Sequence, residues 1–160
     1  MSLLLRSLAP FVVAAAVQAG ALAAQAPAGL PSDTTRPARL AIRGDLHLIR
    51  MGARTVLAAP GREGVLLIDS DLATFAPALD SAVLAWRLGR VRRVVFTHHH
   101  DEAAGGGVWF YQRGAEVLSS VVTRDRLAKR RDATGALAVP DALPDRTFPQ
   151  TFRFRWAAHD

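Results

Sequence analysis

The sequence predicts an α/β domain in which an antiparallel meander leads into βαβα units. Three observations predict it. Short apolar runs separated by turn residues follow one another from Leu40 to Ile68. Two stretches with helical spacing, near 74–86 and 120–131, each follow a strand-like run. Strand-helix-strand order after a meander makes the later strands parallel wherever a helix crosses over. The length of 160 residues suits one such domain, and no internal repeat is visible.

Residues 1–24 stand apart from the domain. Arg6 precedes an apolar, alanine-rich run from Leu8 to Ala24 that ends in small residues. A basic start, an apolar middle and an A-x-A-like end describe a secretory signal peptide. Pro10, Gln18 and Gly20 interrupt the run, which is short for a spanning helix of about 20 apolar residues. The expectation is export to the periplasm or medium, with no stable membrane anchor after cleavage. Residues 25–38, with Pro27, Pro31 and Pro37, read as a flexible lead-in. The domain is expected over 39–160.

Within the domain, Asp45–Arg50 reads as a strand with Leu46 and Leu48 on one face, which points His47 to solvent or to a partner sheet. Arg54–Ala59 reads as the next strand. Pro60-Gly61-Arg62-Glu63-Gly64 is a turn. Val65–Ile68 is almost wholly apolar and is expected to be buried on both faces. Thr74 or Asp71 can cap the following helix, with Pro77 in its first turn. Phe75, Leu79, Ala82 or Val83, and Trp86 form its apolar stripe, and Gly89 ends it. Arg92–Phe96 is a strand, Val108–Arg113 a short helix whose Trp109, Phe110 and Tyr111 pack onto the sheet, and Ala115–Leu118 a strand. A helix is expected from Ser120 to Arg131, a proline-rich loop over Ala136–Pro149, and a last strand over Thr151–Trp156.

Composition excludes some chemistries. The chain has no cysteine, so no thiolate can act as nucleophile or metal ligand, and an oxidising compartment poses no disulfide problem. The formal charge of +6 comes from basic residues scattered along the chain. The aromatics are few and not interleaved with them, so a nucleic-acid partner is not expected. Arg126, Lys129, Arg130 and Arg131 read as the wet face and last turn of a helix.

Three of the five histidines are consecutive, at His98, His99 and His100, directly after the Arg92–Phe96 run and ahead of Asp101, Glu102 and the glycines Gly105 to Gly107. On extended backbone, side chains two apart point the same way, so His98 and His100 can converge on one metal ion while His99 faces away. Asp101 and Glu102 add oxygen ligands or a proton acceptor. The glycines allow a tight turn into a helix. The plainer alternative is a solvated surface loop that meets metal only adventitiously.

The stretch Thr97-His98-His99-His100-Asp101-Glu102-Ala103-Ala104-Gly105-Gly106 resembles the T-H-x-H-x-D-H-x-G-G signature of the metallo-β-lactamase fold superfamily. Gly64-Val65-Leu66-Leu67-Ile68-Asp69 resembles that superfamily's G-v-v-l-I-D strand, and the resemblance extends over roughly residues 40–156. It implies the first half of an αββα sandwich. It implies that His98 and His100 hold a first zinc ion, with a third histidine from a second half of the fold; only His159 follows Trp156 here. It places Asp69 near the metal, as an acceptor for a histidine N–H. The signature's Asp-His pair is replaced by Glu102 and Ala103. Glu102 can still reach a metal and orient or deprotonate water, whereas Ala103 cannot ligate, so one weak zinc site is expected.

The resemblance thus implies an exported zinc-dependent hydrolase acting on a small-molecule ester, amide, thioester or β-lactam carbonyl, truncated or degenerate in this chain. The alternative is a non-catalytic pseudoenzyme, or a half-domain that binds a second copy or a partner through an open sheet edge.

Overall fold

The computed structural model describes residues 36–131, 134 and 143–156. The expected signal peptide, most of the expected lead-in and His159 lie outside these residues. Seven strands form one sheet in chain order: β1 Ala38–Arg43, β2 Leu46–Met51, β3 Arg54–Gly61, β4 Gly64–Ile68, β5 Val91–Phe96, β6 Glu116–Ser120 and β7 Arg146–Phe148. The pairs from β1 to β4 are antiparallel and those from β4 to β7 parallel. Among the described residues four helices follow the parallel strands: α1 Ala76–Ala85, α2 Asp101–Ala104, α3 Gly107–Tyr111 and α4 Val121–Lys129. This is the expected α/β order. No described helix is long and apolar enough to cross a membrane.

The period-two pattern of the strands sorts the side chains. Val65 and Leu67 of β4, Val94 and Phe96 of β5 and Val117 of β6 pack with Leu79 and Val83 of α1, Phe110 of α3 and Leu127 of α4. On the other face, Leu66 is also buried, so β4 is covered on both sides as its unbroken apolar run requires. Met51 and Ile49 of β2 are fully buried. His47 shares the Ile49 face and pairs with buried Ala58, so it is half-buried over the core rather than turned to solvent. Its Nδ1 is buried with no hydrogen-bond partner among the described residues. Burial first, then the Arg39 charge, holds its imidazole below the ordinary range, against the pull of Asp45.

Several element boundaries differ from expectation. Ala38, expected at the end of the lead-in, already opens β1. That strand is an edge with little apolar contrast, Leu40 and Ile42 both being exposed, so periodicity hides it. The third parallel partner of the sheet is Arg146–Phe148, inside the expected proline-rich loop, while Thr151–Trp156 forms no strand. The 151–156 segment alternates because Phe152, Phe154 and Trp156 lie on one side of it. Phe148 stacks on Phe152 at 5.7 Å, and Phe154 lies tilted against Phe152 at 5.4 Å. The Arg93 guanidinium lies 5.4 Å from the Phe154 ring and 5.0 Å from Trp156, whose indole N–H donates to the Ala59 carbonyl at 2.8 Å. An aromatic cover on the sheet face opposite the helices has the same period as a strand, without its backbone pairing.

Neither Asp71 nor Thr74 caps α1. Its N-cap is Phe75, without a side-chain cap bond, and Pro77 fills the first turn. Asp71 is instead buried, accepting from the Leu72 N–H at 2.6 Å and from Arg54 Nε at 2.5 Å. The Ser120 hydroxyl does cap α4, accepting from the Thr123 N–H at 3.1 Å. Trp109 and Phe110 pack at α3 as expected, but Tyr111 is exposed.

Candidate metal centre

The histidine loop leaves the carboxyl end of β5, beside the loop that leaves β4. This is where open α/β sheets place their sites. The two loops are stitched together. The Asp69 N–H donates to the Val95 carbonyl at 2.9 Å, and both the N–H and hydroxyl of buried Ser70 donate to the Ala103 carbonyl, at 2.8 and 2.9 Å. The Gly106 N–H donates to the Asp71 carbonyl at 2.7 Å. These bonds fix α2, one turn long, against the core.

The glycines serve this close approach rather than a turn. Gly105 and Gly106 have ordinary helical dihedrals. A side chain at Gly106 would collide with the Ser70 carbonyl and with Ala76, and one at Gly107 with the Phe96 ring. What the backbone needs here is the missing Cβ, so that α3 can lie on the loop and on β5.

Residues 97–100 bend rather than extend, yet His98 and His100 still converge. Glu102 is the focus. Its Oε1 lies 3.3 Å from His98 Nε2 and 3.7 Å from His100 Nδ1, and one donor atom from each of the three residues lies within 4.8 Å of the others. Four donors at the usual distance from a tetrahedral zinc ion stand roughly 3.3–3.4 Å apart, so the two Glu102 contacts already match a metal site, and the two imidazole nitrogens lie within 4.8 Å of each other. The side chains are 42%, 63% and 49% exposed, which leaves the remaining coordination positions facing outward.

Asp69 does not touch a histidine. Its carboxylate accepts from the Thr97 N–H at 2.8 Å and from the Thr97 hydroxyl at 2.9 Å, and that hydroxyl lies 2.9 Å from His98 Nδ1. Asp69 holds a left-handed backbone, φ 68°, which aspartate tolerates better than most residues.

Asp101 turns away from the donors and pairs with Arg130, at the end of α4. The same guanidinium donates to the His99 carbonyl at 3.3 Å. His99 is not among the three converging donors. Partial desolvation, then His100, Arg126, His98 and Arg130, hold its imidazole below the ordinary range. Ala103 is fully buried, so the position where the resembling signature has histidine points into packed protein.

The Glu102 carboxyl is pulled below its usual range by a hydrogen bond from its own backbone N–H, then by the hydrogen bond that His98 Nε2 donates when it carries a proton, with the His100 and His98 charges adding to this against a small desolvation. Sequence reasoning missed Thr97 and Arg130. Thr97 stood in the quoted stretch beside His98, and a hydroxyl next to a ligand histidine was the available signal. Arg130 gave none, because only the end of α4 brings it to the loop. A cavity of about 400 Å³ lined by Leu46, Pro60 and Trp156 lies at the far end of the sheet and takes no part in this site.

Fold and loop together define a class: an α/β layer that presents clustered metal-type donors at the ends of its parallel strands. No protein-family model and no curated protein sequence matches the chain. Solved structures do. A metallo-β-lactamase from Pontibacter korlensis aligns with 75% of this chain and 56% of its own, at 21% identity and TM-score 0.61. BJP-1, a subclass B3 metallo-β-lactamase of Bradyrhizobium japonicum, aligns with 79% of this chain and 51% of its own, at 13% identity and TM-score 0.63. The metallo-β-lactamase FIM-1 from Pseudomonas aeruginosa, in its mono-zinc form, aligns with 74% and 52%, at 16% identity and TM-score 0.57. The described residues therefore carry the metallo-β-lactamase fold over part of its extent, and the chain spans about half the length of these structures.

Proposed function

We propose that this chain is the metal-binding half of an exported zinc-dependent hydrolase that acts on a small carbonyl substrate. The observation that carries the reading is the approach of His98 Nε2 and His100 Nδ1 to a single Glu102 oxygen, at 3.3 and 3.7 Å. Zinc in such a site supplies Lewis acidity and lowers the pKa of water. The chain's own residues do the rest. His98 and His100 donate neutral nitrogens, and Glu102, ionised across the neutral range, supplies an oxygen ligand or accepts a proton from water. Asp69 anchors Thr97 and, through it, the root of the loop.

Support for zinc in particular comes from the donor chemistry, two imidazoles and a carboxylate, and from the mono-zinc form of one structural neighbour. Support for export comes from the leader-like residues 1–24. A second reading, a pseudoenzyme that binds metal without turnover, is favoured by one observation: Ala103 is fully buried and cannot complete a second metal site.

The test is turnover of chromogenic ester, thioester and β-lactam substrates by the zinc-supplemented chain beside a His98→Ala, His100→Ala variant. The hydrolase reading expects slow turnover that needs zinc and is lost in the variant. Turnover unchanged in the variant contradicts it. Zinc binding with no turnover selects the pseudoenzyme.

A further inference from the structure

We infer that Thr97 is a positioning residue that sets the tautomer of His98, relaying the Asp69 charge so that Nε2 presents its lone pair towards Glu102. The inference rests on the metal reading only for its consequence, since the tautomer is a property of the metal-free chain. Thr97 has one hydroxyl proton. Its oxygen lies 2.9 Å from each Asp69 carboxylate oxygen and 2.9 Å from His98 Nδ1. A carboxylate can only accept, so the hydroxyl proton goes to Asp69. The Thr97 oxygen then has only lone pairs to offer His98, and Nδ1 must carry the hydrogen. In the neutral imidazole this leaves Nε2 bare.

Nε2 faces Glu102 Oε1 at 3.3 Å. Two acceptors at that distance repel unless a proton or a cation sits between them. The relay therefore prepares a cation site. The backbone holds the donor end firmly, because the Thr97 N–H also donates to Asp69 at 2.8 Å and the Asp69 N–H is bonded to Val95. Thr97 itself is exposed, so its side chain can be changed without disturbing the core.

The experiment is ¹⁵N NMR of the histidine rings in the metal-free full chain, at a pH where imidazole is neutral, together with a Zn²⁺ titration against a chromophoric chelator. The native chain is expected to show His98 as the Nδ1–H tautomer. Thr97→Val removes the hydroxyl and is expected to redistribute His98 towards Nε2–H and weaken Zn²⁺ binding about 10–100-fold, as for other residues that orient a ligand. Thr97→Ser is expected to restore both. Asp69→Asn keeps a residue that accepts the left-handed backbone. Its amide N–H can donate to the Thr97 oxygen, which frees the hydroxyl to donate to Nδ1, so it is expected to move His98 towards Nε2–H. A native Nε2–H tautomer, or an Nδ1–H tautomer that persists in Thr97→Val, overturns the inference. If the native chain shows the Nδ1–H tautomer and Thr97→Val loses it, yet Zn²⁺ does not bind the native chain, the relay stands and the hydrolase reading falls.

Discussion

The Glu102 carboxylate meets His98 at 3.3 Å and His100 at 3.7 Å while its own backbone N–H also bonds to it, so two roles compete for one side chain. Removing the charge separates them. Glu102→Gln keeps the shape and is expected to weaken Zn²⁺ binding at least about tenfold, since even indirect partners of a ligand cost 10–100-fold. The urea midpoint is expected to stay put, because an exposed site seldom changes stability by more than about 0.5 kcal/mol. A large fall in midpoint with unchanged zinc affinity would make Glu102 a helix-end residue only. The pH dependence follows from the same atoms. A depressed carboxyl pKa keeps Glu102 ionised as the pH falls, whereas a metal takes only the neutral form of a histidine. Zinc affinity is therefore expected to fall in acid, where protons compete with the metal for its nitrogen donors, before Glu102 loses its charge. Chelator competition at several pH values checks this. The i, i+2 spacing of His98 and His100 was visible in the sequence, but the extended backbone it assumed was not found: the pair groups across a bend. The relay through Thr97 was not, because it depends on β4 and β5 lying side by side, which no local pattern states.

At the scale of elements, α3 lies close on the loop because its glycines lack side chains, and the first turn of α4 is capped by one hydroxyl. Gly106→Ala forces a methyl against the Ser70 carbonyl and Ala76 and is expected to cost about 1–3 kcal/mol in urea denaturation. Ser120→Ala removes the bond to the Thr123 N–H and is expected to cost about 1 kcal/mol. A neutral Gly106→Ala would mean that α3 can lift from the loop freely. The meander, β4 buried on both faces and the three longer strand-linked helical runs were legible because apolar periodicity reports burial directly. β1 and β7 were not. Both are edge strands whose side chains have little to pack against, and β7 has only three residues. The 151–156 segment shows the converse error: Phe152, Phe154 and Trp156 obey the period of a strand while lying across a sheet face instead of pairing with an edge.

For the whole molecule, the sheet has helices on one face and aromatics on part of the other. Trp156 joins the cover to β3 through the Ala59 carbonyl and to β5 through Arg93. Trp156→Ala is expected to lower stability by about 1–3 kcal/mol, the loss of a half-buried ring and one hydrogen bond, measured by urea titration. An unchanged midpoint would mean that the cover contributes nothing. The fold likeness to metallo-β-lactamases spans about half of their length, and the donors gathered here come from one short stretch, the two imidazoles from the loop that follows β5 and the carboxylate from α2. The central claim is a single metal site on that loop. It is tested most directly by zinc analysis of the purified full chain after dialysis, beside His98→Ala. The account predicts weak binding, less than one tight equivalent per chain, lost in the variant. Two tight equivalents, or zinc content indifferent to His98, would contradict it.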